Sequence, residues 1–296
     1  MTEPLFGHLI TAMVTPFDEN NDLDLDRTAQ LVERQVEGGV DGLAVVPTTG
    51  ECPTVFYPQK IEVFKTAVEA AAGRVKIIAY VGDNCTADTV DFAREVEKLG
   101  VDGFLCVVPY YNKPPQEGMY QHFKTIANAV DMPIMLYNIP GRCVVNMQAE
   151  TTLRLANDCD NIIAIKEASG KLDQIKQIID ESPEGFDVYS GDDALTYDIM
   201  KLGGVGVVST TSNVAPQRMG EIVRLCLEGK WDEAKEANDK LMPLMQGLFE
   251  TSNPILVKEA LKLSGFPVGG VRLPLVNATK EQSDRLAAVM KQVGVL

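Results

Sequence analysis

The chain has 296 residues, 45% of them hydrophobic, and its 42 acidic against 27 basic residues leave a formal charge of −15. This length is enough for one large α/β domain or two small ones. Such an acidic surface disfavours binding to nucleic acid and to anionic membranes, because both require positive patches. It permits binding of an anionic substrate by a few local cationic groups.

Cysteine usage and the N-terminal residues favour a cytoplasmic protein. The six cysteines form no CxxC pair, as expected of reduced thiols. The first eight residues lack the basic and apolar regions of a secretory signal, and no apolar run is long enough to cross a bilayer. With only His8 and His122 available, a histidine-rich metal site is not expected. Walker A, HExxH and GxGxxG patterns are absent, so a nucleotide cofactor has no support.

Short apolar runs alternate with amphipathic segments along most of the chain. The runs predict strands at 9–14, 42–46, 76–81, 103–108, 134–137, 162–166, 187–190 and 205–209. The segments between them predict helices near 25–38, 58–72, 86–99, 117–129, 148–157, 171–181, 192–202 and 216–228. Eight βα units in about 225 residues match a (β/α)8 TIM barrel. The alternative is a doubly wound open sheet, which usually has fewer strands and often carries a glycine-rich nucleotide turn.

The last part of the chain changes character. Helical patterns at 230–250, 254–264 and 280–293 follow the eighth βα unit without a Pro-, Gly- or Ser-rich linker. We therefore predict a catalytic barrel over residues 1–228 and a helical extension over 229–296 that packs on it.

Lys166 is the most informative single residue. It ends the apolar run 161–165, which predicts a buried strand of a parallel sheet. Burial disfavours the ammonium form, and the resulting neutral amine is the nucleophile that forms a Schiff base with a ketone or aldehyde. The alternative is a strand-end lysine that reaches solvent or pairs with Glu167.

The second and fourth strands end in polar groups. Thr48 and Thr49 precede a glycine turn, where hydroxyls and N–H groups can bind a carboxylate, although an ordinary polar turn has the same composition. Tyr110 and Tyr111 stand on a proline-rich loop, where tyrosines often pack at interfaces but also relay protons. In a barrel, chemistry is found at these C-terminal strand ends.

The fifth, seventh and eighth strands add further candidates. Tyr137 can donate a proton in Schiff-base steps and Arg142 can hold a carboxylate, unless they are simply a core tyrosine and a surface arginine. The pair Asp192–Asp193 includes a helix cap and would repel phosphate, which disfavours a phosphosugar or flavin site. The eighth strand ends in small residues, which leave room for a ligand.

Together these motifs resemble the dihydrodipicolinate synthase family, within the pyruvate-dependent class I aldolases and lyases. The resemblance covers nearly the whole chain and is carried by the segments 14–16, 48–51, 109–112, 137–140, 165–168, 190–193 and 253–255. Arg142 points to the synthase branch.

The resemblance implies a barrel with C-terminal helices, assembled as a tetramer of tight dimers. It implies that Lys166 forms a Schiff base with pyruvate and that the resulting enamine attacks L-aspartate 4-semialdehyde, with no metal or organic cofactor. The product would be 4-hydroxy-tetrahydrodipicolinate, an intermediate of diaminopimelate and lysine synthesis. By the same resemblance Tyr137, Thr48 and Tyr111 form a proton relay, with Tyr111 reaching into a neighbouring subunit.

The remaining roles implied by the resemblance concern binding. Thr49 would meet the pyruvate carboxylate, Arg142 the carboxylate of the semialdehyde, Gly191 would supply backbone near pyruvate, and Val208 would line the pocket. A lysine-binding allosteric pocket is matched by five positions: Tyr57, Lys60, Asn84, Asp88 and Tyr110.

Several positions depart from the family pattern. Pro47 stands where glycine usually precedes the two threonines and removes an N–H group. Tyr80 replaces a usual glycine, Cys52 a usual serine and Cys143 a common threonine. In the allosteric set, Tyr57 and Lys60 replace frequent histidines. Since Lys60 would repel another amine, weak or absent lysine feedback is expected.

Two other functions are compatible with parts of this pattern. A retro-aldol lyase acting on a sialic acid or a 2-keto-3-deoxy sugar acid would also use Lys166 and Tyr137, but it would need hydroxyl-binding groups in place of Arg142. A catalytically silent barrel that senses a keto acid would not need the nucleophile or the proton relay.

Overall fold

The computed structural model describes residues 3–296 and forms a closed barrel of eight parallel strands in chain order. Because β1 pairs with both β2 and β8, the sheet has no free edge. The strands β1–β8 lie at Leu9–Ala12, Gly42–Val45, Lys76–Tyr80, Gly103–Val107, Ile134–Asn138, Ile162–Glu167, Asp187–Ser190 and Gly206–Ser209. The prediction of a (β/α)8 barrel is confirmed, and the open sheet is ruled out.

Helices follow the strands at the predicted places. Over the barrel, α1–α9 lie at Leu25–Glu37, Tyr57–Ala71, Thr86–Val96, Gln116–Ala127, Pro140–Cys143, Ala149–Asp158, Leu172–Glu181, Thr196–Lys201 and Pro216–Leu227. The short helix α5 was not predicted, because four residues give no helical period. The helix predicted at 192–202 is a 3-10 turn, Asp193–Leu195, followed by α8.

The strands form because their residues are apolar and covered on both faces. Every residue of β1, β2, β4, β5 and β8 is buried, as expected for a parallel sheet enclosed by helices. The polar exceptions cluster toward the C-terminal ends of strands, where Asn138, Lys166, Glu167 and Ser190 are also buried. The fold therefore concentrates buried polar groups at one end of the barrel.

Three helices complete the chain: α10, α11 and α12, at Trp231–Gly247, Ile255–Leu263 and Lys280–Gln292. α10 packs against α9 of the barrel, and α12 packs against both α10 and α11. The predicted boundary at 228/229 falls between α9 and α10, and the division into two units stays a prediction. Among residues 3–296, no helix is both long and apolar enough to cross a bilayer.

Candidate active site

Lys166 lies on β6 at the C-terminal end of the barrel, with 4% of its surface exposed. Its Nζ is 4.3 Å from the centroid of the Tyr137 ring, which belongs to the neighbouring strand β5 and pairs with Lys166 in register. Burial lowers the pKa of Lys166 to about 8; the carboxylate of Asp193 opposes this shift and the Arg142 guanidinium adds to it. An appreciable fraction of the amine is therefore neutral near pH 7–8, as a nucleophile requires.

Glu167 is not the partner of Lys166. Successive strand residues face opposite sides of the sheet, so the two side chains diverge. The Glu167 carboxylate accepts hydrogen bonds from Ser169 N at 2.7 Å, Asn138 Nδ2 at 3.1 Å and Gln174 Nε2 at 3.2 Å. The alternative prediction, a lysine that reaches solvent or pairs with Glu167, is therefore wrong for Lys166.

Tyr137 and Thr48 connect the lysine to the turn after β2. Tyr137 is buried, and its hydroxyl lies near the Thr48 side chain. Burial raises the pKa of Tyr137, against smaller opposing effects of the nearby Thr48 side chain and the Arg142 charge. The phenol thus stays protonated at neutral pH and can donate a proton to a group bound at Lys166.

The turn after β2 presents two free N–H donors. The N–H groups of Gly50 and Glu51 close the turn on the carbonyls of Pro47 and Thr48, at 2.9 and 3.1 Å. Within residues 3–296, the N–H groups of Thr48 and Thr49 have no acceptor, so they are available to a ligand. A Cβ on Gly50 would come 2.7 Å from Val46 Cα, so this tight turn requires glycine there. The turn is shaped to bind an anion.

Arg142 is carried by α5, which begins at Pro140 directly after β5. Proline at the first helical position has a suitable fixed φ and lacks an N–H that would have no partner. Arg142 lines a cavity of about 640 Å³ whose wall also includes Thr48. Its Nη2 donates to the carbonyl of Asn253 at 3.4 Å. The guanidinium therefore stands beside the threonine turn, where it can meet a second carboxylate.

Gly191 and Val208 complete the predicted set. A Cβ on Gly191 would lie 2.7 Å from Ala168 Cβ and 3.1 Å from Lys166 Cγ, so only glycine lets the backbone approach the lysine this closely. Val208 is buried on β8, two strands away from β6. Gly191 therefore adjoins Lys166, and the role of Val208 as a pocket-lining residue stays a prediction.

Tyr111 does not join this group within one chain. It is 89% exposed and has a φ of 72°, in the left-handed region that non-glycine residues rarely adopt. Its neighbour Tyr110 is half-buried and faces the cavity. The proposed role of Tyr111 thus depends on a second copy of the chain.

Three of the five predicted allosteric residues line the same cavity as Thr48 and Arg142. Tyr57, Lys60 and Tyr110 line it, and the hydroxyls of Tyr57 and Tyr110 donate to Asp83 at 3.2 and 3.5 Å. Lys60 is 5% exposed, lies against aromatic rings and has a pKa lowered by burial. Asn84 and Asp88 do not line the cavity; Asn84 adjoins Asp83, and Asp88 is exposed on α3.

Apart from Pro47, the departures from the family pattern line this cavity. Cys52, Tyr80 and Cys143 are among the lining residues, and Tyr80 lies near the Cys52 thiol. Burial raises the pKa of both thiols to about 11, so they are protonated at neutral pH. These residues shape the wall without adding charge.

Two residues of the site were not singled out from the sequence. Asp193 is buried, and its Oδ2 accepts from Thr210 N, Thr211 N and Thr211 Oγ1 at 3.1, 2.7 and 2.7 Å. The capping role expected of the aspartate pair belongs to Asp192, which accepts from Ala194 N. Asn253 donates to Thr49 Oγ1 at 2.9 Å. The doublet at 192–193 and the 253–255 motif were visible signals, but neither shows which way a side chain points.

Comparison with known proteins decides the family. Residues 5–293 match the model of the Dihydrodipicolinate synthetase family. The chain belongs to this family. It is 53% identical over 280 residues to 4-hydroxy-tetrahydrodipicolinate synthase 1 of Halalkalibacterium halodurans, covering 95% of each chain.

Solved members of the dihydrodipicolinate synthase family have the same fold. A synthase from Cyanidioschyzon merolae, solved with lysine bound, superposes with a TM-score of 0.98 at 42% identity, covering 99% of this chain and 100% of the other. A chloride-inhibited synthase from Acinetobacter baumannii, solved with pyruvate, superposes with a TM-score of 0.96 at 38% identity and 98% and 100% coverage. The resemblance inferred from motifs is confirmed.

Proposed function

We propose that this chain is a 4-hydroxy-tetrahydrodipicolinate synthase, a lyase-class enzyme that condenses pyruvate with L-aspartate 4-semialdehyde in diaminopimelate and lysine biosynthesis. The observation that carries the proposal is a buried amine, Lys166, packed against Tyr137 beside two free N–H groups and Arg142. Many relatives of this name, at 44–53% identity over nearly the full length, support it. They give no support to a sugar-acid lyase or a silent sensor.

The first steps use Lys166, Tyr137 and Thr48. The neutral amine adds to the ketone carbon of pyruvate, and Tyr137 protonates the leaving hydroxyl so that water departs and an imine forms. The N–H and hydroxyl groups of Thr48 and Thr49 would bind the pyruvate carboxylate. Loss of a methyl proton to the same phenol–threonine relay converts the imine into an enamine.

The later steps bring in the second substrate. The enamine carbon attacks the aldehyde of the semialdehyde, whose carboxylate would be held by the fork of Arg142. The amino group of this substrate then displaces the Lys166 amine from the imine carbon, which closes the ring and frees the enzyme. Gly191 leaves the space that the covalent adduct at Lys166 requires, and Val208 would line the pocket.

A coupled assay tests the function. Pyruvate and L-aspartate 4-semialdehyde are supplied with a dihydrodipicolinate reductase, and loss of reduced nicotinamide is followed. Lys166→Ala should abolish turnover and borohydride trapping of pyruvate, whereas Lys171→Ala, an exposed lysine of the following loop, should leave both unchanged. Wild-type trapping of pyruvate without turnover would reject the semialdehyde as substrate.

Arg142→Ala and Arg142→Lys separate charge from shape. Both substitutions should raise the KM for the semialdehyde. The KM of Arg142→Lys should lie between those of the wild type and Arg142→Ala, because lysine keeps the charge but loses the bidentate fork. The KM for pyruvate should change much less. Equal effects on both substrates would place Arg142 outside the second carboxylate site.

We also propose a homotetramer in which Tyr111 completes the relay of a neighbouring subunit. Its exposure supports this, since a relay residue has to meet other groups. Sedimentation velocity measures the assembly. Mixing Tyr111→Phe and Lys166→Ala subunits should restore activity, to about a quarter of the wild-type sites if paired subunits exchange freely. No recovery in demonstrated mixed oligomers would place Tyr111 outside the partner's site. We expect the assembly to act in the cytoplasm.

Lysine should inhibit this enzyme weakly or not at all. Lys60 is buried and lines the cavity together with Tyr57 and Tyr110 of the predicted allosteric set. A second ammonium there would either be repelled or force one amine to lose its proton, and both oppose binding. Lys60→Ala should therefore increase lysine inhibition in the coupled assay. Strong wild-type inhibition at sub-millimolar lysine would contradict this expectation.

A further inference from the structure

Asn253 lies between α10 and α11 and touches both predicted carboxylate-binding groups. It is 6% exposed. Its Nδ2 donates to Thr49 Oγ1 at 2.9 Å, and its main-chain carbonyl accepts from Arg142 Nη2 at 3.4 Å. One residue of the C-terminal region thus bridges the turn after β2 and the helix after β5.

The direction of the first hydrogen bond matters for Thr49. A hydroxyl has one hydrogen and two acceptor lone pairs. Because the Asn253 amide occupies a lone pair, the Thr49 hydrogen remains free to donate. Its neighbour Thr210 Oγ1 is 3.3 Å away, a long contact that an incoming carboxylate can readily replace.

The other end of the Asn253 amide is not satisfied. Within residues 3–296 its Oδ1 is buried and has no hydrogen-bond donor. A buried acceptor without a donor lowers the stability of the folded protein. An asparagine at this position is therefore better explained by a function of its NH2 group.

We propose that Asn253 is a positioning residue that aligns both substrate carboxylates, holding the Thr49 hydroxyl through its side chain and the Arg142 guanidinium through its main chain. This inference rests on the proposed function. The side-chain link is the part that substitution can test, and it predicts an effect on pyruvate above all. The region outside the barrel then contributes directly to the geometry of the active site.

The test compares Asn253→Ala with Asn238→Ala, a buried asparagine of α10 in the same region that also has an unpaired Oδ1. Asn253→Ala should raise the KM for pyruvate and the pyruvate concentration for half-maximal borohydride trapping about threefold to tenfold, the equivalent of one lost neutral hydrogen bond. The kcat at saturating pyruvate should fall less. Asn238→Ala should leave both pyruvate constants unchanged.

Asn253→Asp is a second, nearly isosteric variant. An ionised carboxylate can only accept, so Thr49 would turn its hydrogen toward position 253 and away from pyruvate. The new negative charge would also repel the pyruvate carboxylate, so the KM for pyruvate should increase more in Asn253→Asp than in Asn253→Ala. Thermal unfolding of each variant checks that the fold persists.

A double-mutant cycle assigns the mechanism. If Asn253 acts through Thr49, adding Asn253→Ala to Thr49→Val should cause little further increase in half-maximal trapping. Full additivity, or unchanged pyruvate constants in folded Asn253→Ala and Asn253→Asp, would overturn the inference. Trapping needs only pyruvate, so it judges Asn253 even if the semialdehyde is rejected. Absence of wild-type trapping would overturn both proposals.

Discussion

Among single residues, Lys166 is the amine on which the proposed chemistry depends, and its proton affinity is set by its surroundings. Desolvation is the dominant influence on Lys166, and two charges act on it with opposite signs: Asp193 favours the ammonium and Arg142 disfavours it. Asp193 is itself fixed by two N–H groups and a hydroxyl after β8. The reactivity of Lys166 is therefore balanced by residues from three other segments of the chain.

The rate of pyruvate trapping should rise with pH and level off above about pH 8, because only the neutral amine adds to the ketone and the pKa of Lys166 is lowered to about 8. Below that pH the rate should fall about tenfold per unit. Stopped-time borohydride trapping with mass spectrometry measures this profile. A flat profile between pH 6 and 8 would show that the amine is neutral throughout.

Asp193→Asn should move this profile to lower pH, since the carboxylate that favours the ammonium is removed. Asp192→Asn is the matched control: this neighbouring carboxylate caps the 3-10 turn, is not among the charges that shift the lysine, and should leave the midpoint unchanged. A shift to higher pH in Asp193→Asn would contradict the assigned role of the carboxylate.

Among the secondary-structure elements, the register of β5 and β6 brings the proposed catalytic pair, Tyr137 and Lys166, together. β5 and β6 start with Ile134 opposite Ile162, but the register shifts so that Met135 lies opposite Ala164. This one-residue bulge places Tyr137 opposite Lys166. Without it Tyr137 would face Ile165, whose side chain lies on the other side of the sheet. The irregularity is thus part of the active-site geometry.

Close packing between strand ends makes Gly191 indispensable. In Gly191→Ala the new Cβ would meet Ala168 Cβ at 2.7 Å and Lys166 Cγ at 3.1 Å, so the lysine or the strand must shift. We expect a loss of about 1–3 kcal/mol in the free energy of unfolding and a larger fractional loss in trapping rate.

Gly220→Ala is the control for that experiment. Gly220 lies within α9, its nearest contact to an added Cβ is 3.6 Å, and alanine is the better helix former. Urea unfolding should show this variant to be at least as stable as the wild type, with normal trapping. If Gly191→Ala traps pyruvate at the wild-type rate, position 191 tolerates a Cβ and the packing argument is wrong.

Across the whole molecule, the C-terminal region is joined to the turn after β2 by a buried polar network. Glu51 Oε1 and Lys258 Nζ form an ion pair at 2.6 Å, with both side chains 2% exposed. Lys258 Nζ also donates to the Gly270 carbonyl at 2.7 Å, and Arg272 N donates to Glu51 Oε2 at 2.9 Å. Because Glu51 follows Thr49 after a single glycine, this buried network supports the turn that we propose meets pyruvate.

Breaking the pair should destabilise the protein strongly. Lys258→Met leaves the Glu51 carboxylate buried without its cation, at an expected cost of about 3–5 kcal/mol in the free energy of unfolding. Adding Glu51→Gln should restore part of this loss, because the uncompensated charge is removed. Urea unfolding of the two single variants and the double variant measures the coupling.

The exposed pair Lys280–Asp284, also at 2.6 Å, is the comparison. Lys280→Ala should change stability by less than about 1 kcal/mol, since water screens a surface pair. Equal losses of unfolding free energy in Lys258→Met and Lys280→Ala would contradict a stabilising role of the buried pair between the two regions.

The eight βα units, the family and the proposed nucleophile can all be predicted from the amino-acid sequence, because periodic apolar patterns and residues placed at strand ends are local properties. Lys166, Tyr137, Thr48 and Arg142 were singled out this way. In the fold, Lys166 lies against the Tyr137 ring, and Arg142 lines a cavity together with Thr48.

The groups that surround Lys166 are visible only in the folded chain. The bulge that aligns β5 with β6, the inward turn of Asp193 and the reach of Asn253 to Thr49 join segments up to 204 residues apart. Side-chain direction at such contacts follows from packing of the closed barrel, since a bulge or a loop rotates a residue without altering the local apolar pattern. The long-range contacts therefore had to be read from the fold.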